Sequence, residues 1–269
     1  MAERLRLGGM ALRNGLLVHG PTHWAAAVRT AAGEVKVASG SKPRLRATER
    51  LPGVRGVVRL AEALGVIPLV KRALPEAQLP FQDSRVLATM GGAAVAGTLV
   101  KRVADRRGGA AAGEAVAAGL SLAPALLALR GGELAAYHGV EHKAIAAYEQ
   151  GEPDAAGAPK EHDRCGSHLV APMIASNLAG TVLLRRAVER PGPLAGGAVA
   201  LASLAAAVEV FAWSERHAET RLARALRRPG HEIQRLVGTR EPDERQLEVG
   251  RAALAEILRA EGVAAPSAP

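Results

Sequence analysis

The sequence predicts a mainly α-helical, multi-pass membrane protein with a small β-rich segment at its amino terminus. Four apolar stretches carry this prediction, at residues 86–100, 115–129, 169–184 and 191–208. Hydrophobic residues make up 48% of the chain and aromatic residues only 2%, so the apolar content is mostly Ala, Val and Leu, which favours helices. Short apolar runs punctuated by glycine near the amino terminus are typical of strands instead.

The β-rich segment is predicted to cover residues 1–53 and to be soluble. Residues 25–29 and 35–38 flank a turn that contains Gly33, which predicts a β-hairpin. A further short strand is expected upstream, around residues 8–18.

Residues 54–85 form the second predicted unit, an amphipathic helix that lies along a membrane surface. Over residues 54–74, apolar and basic residues alternate at helical spacing. Pro68 is expected to bend this helix, because proline lacks the backbone N–H that an interior position needs.

The membrane core is predicted at residues 86–213. A helix needs about 20 residues to span the interior of a bilayer. The four stretches hold 15, 15, 16 and 18 residues, so only the last approaches spanning length. Extending the second stretch admits Glu114 and extending the fourth admits Glu209, and a carboxylate at membrane depth is costly. Buried helices of a soluble bundle therefore remain an alternative.

The charge distribution predicts that both termini lie in the cytoplasm, and the expected location is the cell (inner) membrane. The net charge is +9; residues 1–85 hold 14 Lys and Arg, and the tail after residue 208 holds 10. Basic turns at residues 101–107 and 185–190 oppose this orientation. Membrane lipids are the expected partners, and nucleic acid is disfavoured because neither stacking aromatics nor a recognition motif accompanies the charge.

Residues 214–269 are predicted to be a cytoplasmic helical tail. Its first helix is expected to end at Pro229 and Gly230. A last helix is expected over residues 243–260, followed by a frayed end at residues 262–269.

A metal site is predicted in the loop at residues 130–168. Four of the eight histidines and the only cysteine, Cys165, fall between His138 and His168. The run HGVEH at residues 138–142 has the H-x-x-E-H pattern, in which two histidines four residues apart share one helix face and can bind one ion. Glu141 would then be the general base that takes a proton from water.

The second half of this segment, HDRCGSH at residues 162–168, follows a loop rich in glycine and proline that can fold back. If His162 and Cys165 both bind the same ion as His138 and His142, the site has four protein ligands and is structural. If only one of them binds the ion, a coordination position stays open for catalysis. Two further interpretations of Cys165 are a buried thiol without a metal and a nucleophile.

Glu209 is a further candidate ligand, since a carboxylate from a later helix often completes a site that begins with two histidines. An interfacial charge paired with an arginine is the competing interpretation. The predicted cofactor is a divalent metal ion, with zinc as its expected identity.

Several motifs resemble the YqhQ-like family of bacterial membrane proteins of unknown function. They run from residue 7 to residue 249 in the family's order: LGGMA (7–11), WAAAVR (24–29), YHGVEHK (137–143), HDRCG (162–166), TREPD (239–243) and QLEV (246–249). The resemblance implies an integral membrane protein with soluble ends and a metal-dependent enzyme without an assigned reaction. The usual opening Gly-Gly-Gln is Gly8, Gly9 and Met10 here.

Two functions follow from these observations. The first is a membrane-embedded, metal-dependent hydrolase of a peptide or lipid-linked substrate, with Glu141 as base. The second is a non-enzymatic assembly or scaffold factor, in which a structural metal closes the loop and the basic ends bind a protein partner. Coordination separates them, because catalysis needs an open position and a structural site has four protein ligands.

Overall fold

The computed structural model describes residues 4–44, 55–130, 132–152, 154–188 and 191–263. The protein is mainly helical and has one small antiparallel sheet, as predicted. The strands are β1 (Gly8–Leu12), β2 (Gly15–His19), β3 (His23–Arg29) and β4 (Val35–Ser41). The helices are α1 (Arg55–Leu64), α2 (Val66–Ala73), α3 (Ser84–Arg106), α4 (Ala110–Ser121), α5 (Ala123–Arg130), α6 (Glu133–Gln150), α7 (Val170–Ala187), α8 (Pro193–Arg216), α9 (Arg221–Ile233) and α10 (Glu244–Ala260).

The sheet is a meander in the order β1-β2-β3-β4. The predicted hairpin is confirmed as β3 and β4, and its turn depends on Gly33, whose φ of +87° favours glycine. Upstream, two strands form where one was expected, because the two-residue turn after Leu12 lets the chain pair with itself.

The two faces of the sheet pack against different helices. Val18 contributes to a core with Val140 of α6 and Ile257 of α10, whereas Leu17 contributes to a second core with Val66 of α2. Alternation along β2 sends neighbouring side chains to opposite faces, so the strand is buried on both sides. The sheet is therefore sandwiched, and α6 and α10 lie on one face of it.

The predicted bend at Pro68 is wrong in position. The chain breaks at Gly65, between α1 and α2, and Pro68 lies in the first turn of α2. A proline is tolerated there because the first N–H groups of a helix have no intrahelical acceptor.

The expectation that only one stretch approaches spanning length is also wrong. Four helical segments are long and apolar enough to cross a membrane, namely Ser84–Arg106, Ala112–Arg130, Gly166–Ala187 and Leu194–Arg216. They hold 23, 19, 22 and 23 residues, because each helix continues past its apolar stretch into polar or charged residues at one or both ends. No more than 17% of any of the four apolar windows is buried inside the protein, which argues against a soluble bundle. These helices suggest a membrane protein.

Ion pairs mark the two ends of the helical bundle. Glu114, near the start of α4, lies 2.7 Å from Lys101 of α3 and 3.4 Å from Arg185 of α7, and Arg185 also lies 2.6 Å from Asp105. Glu114 is thus paired at a helix end. At the opposite end, where α5 leads into α6, Glu215 of α8 lies 2.7 Å from Arg6. The sheet, α6 and α10 all lie at this second end.

The tail departs from prediction at Pro229. Helix α9 runs through Pro229 to Ile233 and continues into a π-helical turn, Gln234–Gly238. A Cβ on Gly230 would collide with the ring of His168, so this glycine permits a close helix contact and does not end the helix. The last helix is confirmed as α10, whose first turn is capped by reciprocal hydrogen bonds between Asp243 and Gln246.

Candidate metal centre

Helix α6 presents the predicted histidine pair. His138 and His142 lie one turn apart, with ring centroids separated by 4.3 Å. The helix is buried along most of its length, and two glycines allow neighbouring segments to approach it closely. A Cβ on Gly139 would collide with the carbonyl of Arg240, and one on Gly250 would collide with Val140. The histidines therefore project from a rigid, enclosed helix.

The loop after α6 folds back over the pair, as the sequence predicted. The buried Lys143 ammonium group donates hydrogen bonds to the carbonyls of Ala156 at 3.0 Å and Ala158 at 2.7 Å. The same ammonium group lies 2.6 Å from the Glu241 carboxylate. Lys143 thus fixes the path that returns the chain to the histidines.

Cys165 joins the two histidines. Its Sγ lies 3.4 Å from His138 Nε2, and one ligand atom of each of His138, His142 and Cys165 lies within 4.8 Å of the others. The backbone N–H of Ser167 points at the sulfur from 3.5 Å. Two imidazoles and one thiol from separate segments thus converge on a volume in which all three could contact one ion.

Hydrogen bonds on the far side of each ring orient both imidazoles towards that volume. His138 Nδ1 donates to the carbonyl of Gly238 at 2.7 Å, and His142 Nδ1 donates to the carbonyl of Lys160 at 2.6 Å. A carbonyl can only accept, so each Nδ1 carries the hydrogen and each Nε2 keeps its lone pair. Metal-bound histidines are usually held in this way.

The buried Nε2 atom of His142 shows that this donor set fits a metal. It lies beside the Cys165 thiol but makes no hydrogen bond of good geometry with the residues that the structure describes. Burial lowers the pKa of the ring, which favours the neutral form that binds metals. An unpartnered buried acceptor is costly, and a cation would satisfy it. The three side chains could therefore hold a divalent ion.

Glu141 lies beside the cluster and outside it. Its Oε2 is 3.9 Å from His138 Nε2, and the carboxylate makes no hydrogen bond within the described part of the chain. Burial raises the pKa of this carboxyl group. A Cβ on Gly9 would collide with the Glu141 side chain, so the glycine in β1 leaves the space that the carboxylate occupies.

The structure leaves the other two predicted ligands outside the cluster. His162 Nδ1 accepts the N–H of Arg164 at 3.2 Å, and its Nε2 lies 3.4 Å from the Glu149 carboxylate, so both nitrogens are engaged elsewhere. Glu209 is half-buried on α8 and does not line the pocket described next.

A pocket of about 320 Å³ opens at the cluster. It is bounded by β1, the end of α5, α6 and the segment around Cys165, and Glu141, His138 and His142 all line it. An ion held by three protein ligands would therefore face open space on this side.

The support of the site includes a residue that no sequence motif indicated. Gln234 is fully buried, its Oε1 accepts the N–H of His162 at 2.7 Å, and its Nε2 donates to Ser167 Oγ at 2.9 Å. It therefore holds both ends of the segment that carries Cys165. It opens the π-helical turn whose last residue, Gly238, orients His138, and such turns are frequent at functional sites.

Residues 133–260 match the model of a protein family of unknown function, DUF1385. The matched part of the chain runs from the start of α6 to the end of α10, so it contains the histidine pair, Cys165 and Gln234. The sheet lies outside it. No curated protein and no solved structure matches the chain significantly.

Proposed function

We propose that the protein is a membrane-embedded, metal-dependent hydrolase whose site is formed by His138, His142 and Cys165. The observation that supports this most directly is the convergence of three ligand atoms within 4.8 Å at a pocket that also holds the Glu141 carboxylate. Catalytic zinc sites have three protein ligands and one open position, and structural sites have four protein ligands. The engagement of His162 with Glu149 and Arg164 favours the open arrangement.

The donor set indicates zinc. Imidazole nitrogen together with thiolate sulfur suits zinc, whereas magnesium and calcium prefer oxygen. A bound zinc ion would act as a Lewis acid and lower the pKa of water at the site. Glu141 would accept the proton of the attacking water and later deliver it to the leaving group.

The placement of the site supports a membrane role. The cluster lies at the end of the bundle where the sheet, α6 and α10 assemble, next to the ends of α5 and α8. With four crossings, both termini and this site share one face of the membrane. We assign that face to the cytoplasm, because residues 1–85 and the tail are rich in arginine. We assign the membrane to the cell (inner) membrane, as the resemblance to bacterial membrane proteins implies.

Zinc stoichiometry and complementation together test the proposal. Purified, detergent-solubilised wild type should bind one zinc ion, and His142→Ala should lose it, whereas His162→Ala should retain it. Glu141→Gln should keep zinc but fail to complement a strain that lacks the native protein, because an amide cannot accept the proton. Glu152→Gln, at an exposed position just beyond α6, is the matched control.

The opposite pattern would identify a structural site. Loss of zinc from His162→Ala together with full complementation by Glu141→Gln would replace the hydrolase with a scaffold factor. Absence of zinc from wild type would overturn both.

A further inference from the structure

Strand β1 is an edge of the sheet, and two of its residues have backbone groups on the outer side that make no hydrogen bond with the described residues. The two-residue turn joins Leu12 to Gly15, so these residues exchange both backbone hydrogen bonds. Bonding alternates along an antiparallel pair, so Met10 and Gly8 also bond to β2. Gly9 and Ala11 therefore direct their N–H and C=O groups away from the sheet. No hydrogen-bond partner for these groups is found among the described residues.

The candidate metal centre lies along this free edge. The five consecutive residues 7–11 line the same pocket as His138, His142 and Cys165. Side chains of consecutive strand residues point to opposite faces, so a pocket that touches all five runs along the edge of the strand and not over one face. The unpaired backbone groups therefore point into the space in front of the cluster.

The residues of this edge leave room for another backbone. Gly8 and Gly9 carry no side chain, and the atoms nearest to the position of a Cβ on Gly9 belong to the Glu141 side chain. A backbone paired with Gly9 would therefore run along the pocket that Glu141 and His138 also line. Glycine in a strand commonly marks such a close backbone approach.

We propose that the pocket binds an extended polypeptide segment, which pairs with the free edge of β1 through the backbone groups of Gly9 and Ala11. This inference rests on the proposed hydrolase and names its substrate class. Addition of a strand to an exposed edge supplies affinity through main-chain hydrogen bonds and is largely independent of the substrate side chains.

The reaction of such a substrate is peptide hydrolysis. One water molecule is consumed: its oxygen bonds to the peptide carbonyl carbon, and the C–N bond breaks. Glu141 takes one proton from the water and transfers it to the departing amine nitrogen. The products are one carboxyl and one amine terminus, so no oxidant, reductant or further reactant is needed.

Peptidyl hydroxamates provide the test. The probes are acetyl-Ala-Val-Ala-hydroxamate, its three singly N-methylated forms, acetohydroxamate and octanoyl hydroxamate, each titrated against zinc-loaded, detergent-solubilised wild type. The peptide probe should bind on the order of tenfold more tightly than acetohydroxamate, since two main-chain hydrogen bonds are added. N-methylation should weaken binding only at alternate amides, because alternate N–H groups of a strand face its partner.

Ala11→Pro is the matching protein variant. It removes an outward N–H and leaves the β1–β2 hydrogen bonds intact, as proline does at strand edges. This variant should retain zinc and its affinity for acetohydroxamate. It should no longer bind the peptide probe more tightly than acetohydroxamate. If Ala11→Pro does not fold, the N-methylated probes on wild type decide alone.

Two results would overturn the inference while leaving the metal site in place. They are equal binding of all N-methylated forms, and tighter binding of octanoyl hydroxamate than of the peptide probe, which would indicate a lipid substrate. Failure of the proposed function shows separately as no zinc and no binding of acetohydroxamate. In that case acetyl-Ala-Val-Ala-amide and its N-methylated forms test strand addition without a metal. Weaker binding on N-methylation at alternate amides would still show strand addition, and absence of binding would exclude strand addition.

Discussion

His142 donates its Nδ1 hydrogen to the carbonyl of Lys160 at 2.6 Å, and this bond leaves Nε2 on the side of the ring that faces Cys165. Lys160 lies 18 residues away in the loop that follows α6. The loop therefore contributes to the site twice, since it supplies the thiol and also fixes the ring of one histidine. A backbone carbonyl in this role selects the tautomer without depending on a side chain.

Gln234→Leu should weaken zinc binding by about ten- to a hundredfold, because residues that orient metal ligands have effects of this size. The change removes the bonds to His162 and Ser167 that hold the segment around Cys165. Competition with a chromophoric chelator measures the affinity. Gln150→Leu, at an exposed position at the end of α6, is the control and should bind zinc like wild type. Equal affinities for the two variants would show that Gln234 does not support the site.

Gly250→Ala should destabilise the protein by about 1–3 kcal/mol, although alanine is the better helix former. The added Cβ would collide with Val140 and push α10 away from α6. Gly196→Ala on α8 is the control, since a Cβ there meets no atom within 4 Å. Denaturant unfolding in detergent gives both changes in free energy. Stabilisation by Gly250→Ala would mean that the two helices are not in close contact.

His19 should make the stability fall as the medium becomes acidic. Burial, and to a lesser extent the charge of Lys42, lowers the pKa of His19 from 6.5 to about 4. Between those values the unfolded chain binds a proton that the folded chain does not, so stability rises with pH across this window and falls as pH drops from 6.5 towards 4. The slope should not exceed roughly 1.4 kcal/mol per pH unit.

The measurement is the free energy of unfolding against pH, with zinc chelated throughout so that ligand protonation does not contribute. His19→Gln should flatten the slope between pH 6.5 and 4 relative to wild type. Identical slopes for both proteins would contradict the lowered pKa.

Four crossings should place Glu34 and Arg251 on one side of the membrane and Arg107 on the other. Glu34 lies in the turn between β3 and β4, Arg251 on α10, and Arg107 just beyond the end of α3. Single cysteines at these three positions, introduced into a Cys165→Ser background, can be labelled with a membrane-impermeant maleimide in spheroplasts and in inverted vesicles. We expect Glu34→Cys and Arg251→Cys to react together and Arg107→Cys to react in the opposite preparation. Reaction of all three in one preparation would exclude the four-crossing arrangement.

Patterns within one segment were predictable from the sequence alone. The β3–β4 hairpin follows from a glycine turn between two apolar runs, and α10 follows from Asp243 at its start and an apolar stripe that includes Leu247 and Ile257. The placement of His138 and His142 on one helix face follows from their four-residue spacing. Each of these depends on contacts between residues near in sequence, so local composition suffices.

Only the tertiary structure decided which groups surround the histidines. His162 and Cys165 are equally plausible ligands in the sequence, yet the fold brings Cys165 to the cluster and engages His162 with Glu149. The carbonyl that orients His138 belongs to Gly238, which is 100 residues away. Such contacts depend on how α6, α9 and the intervening loop pack. Packing is cooperative over the whole core, and no periodicity within a single segment encodes it.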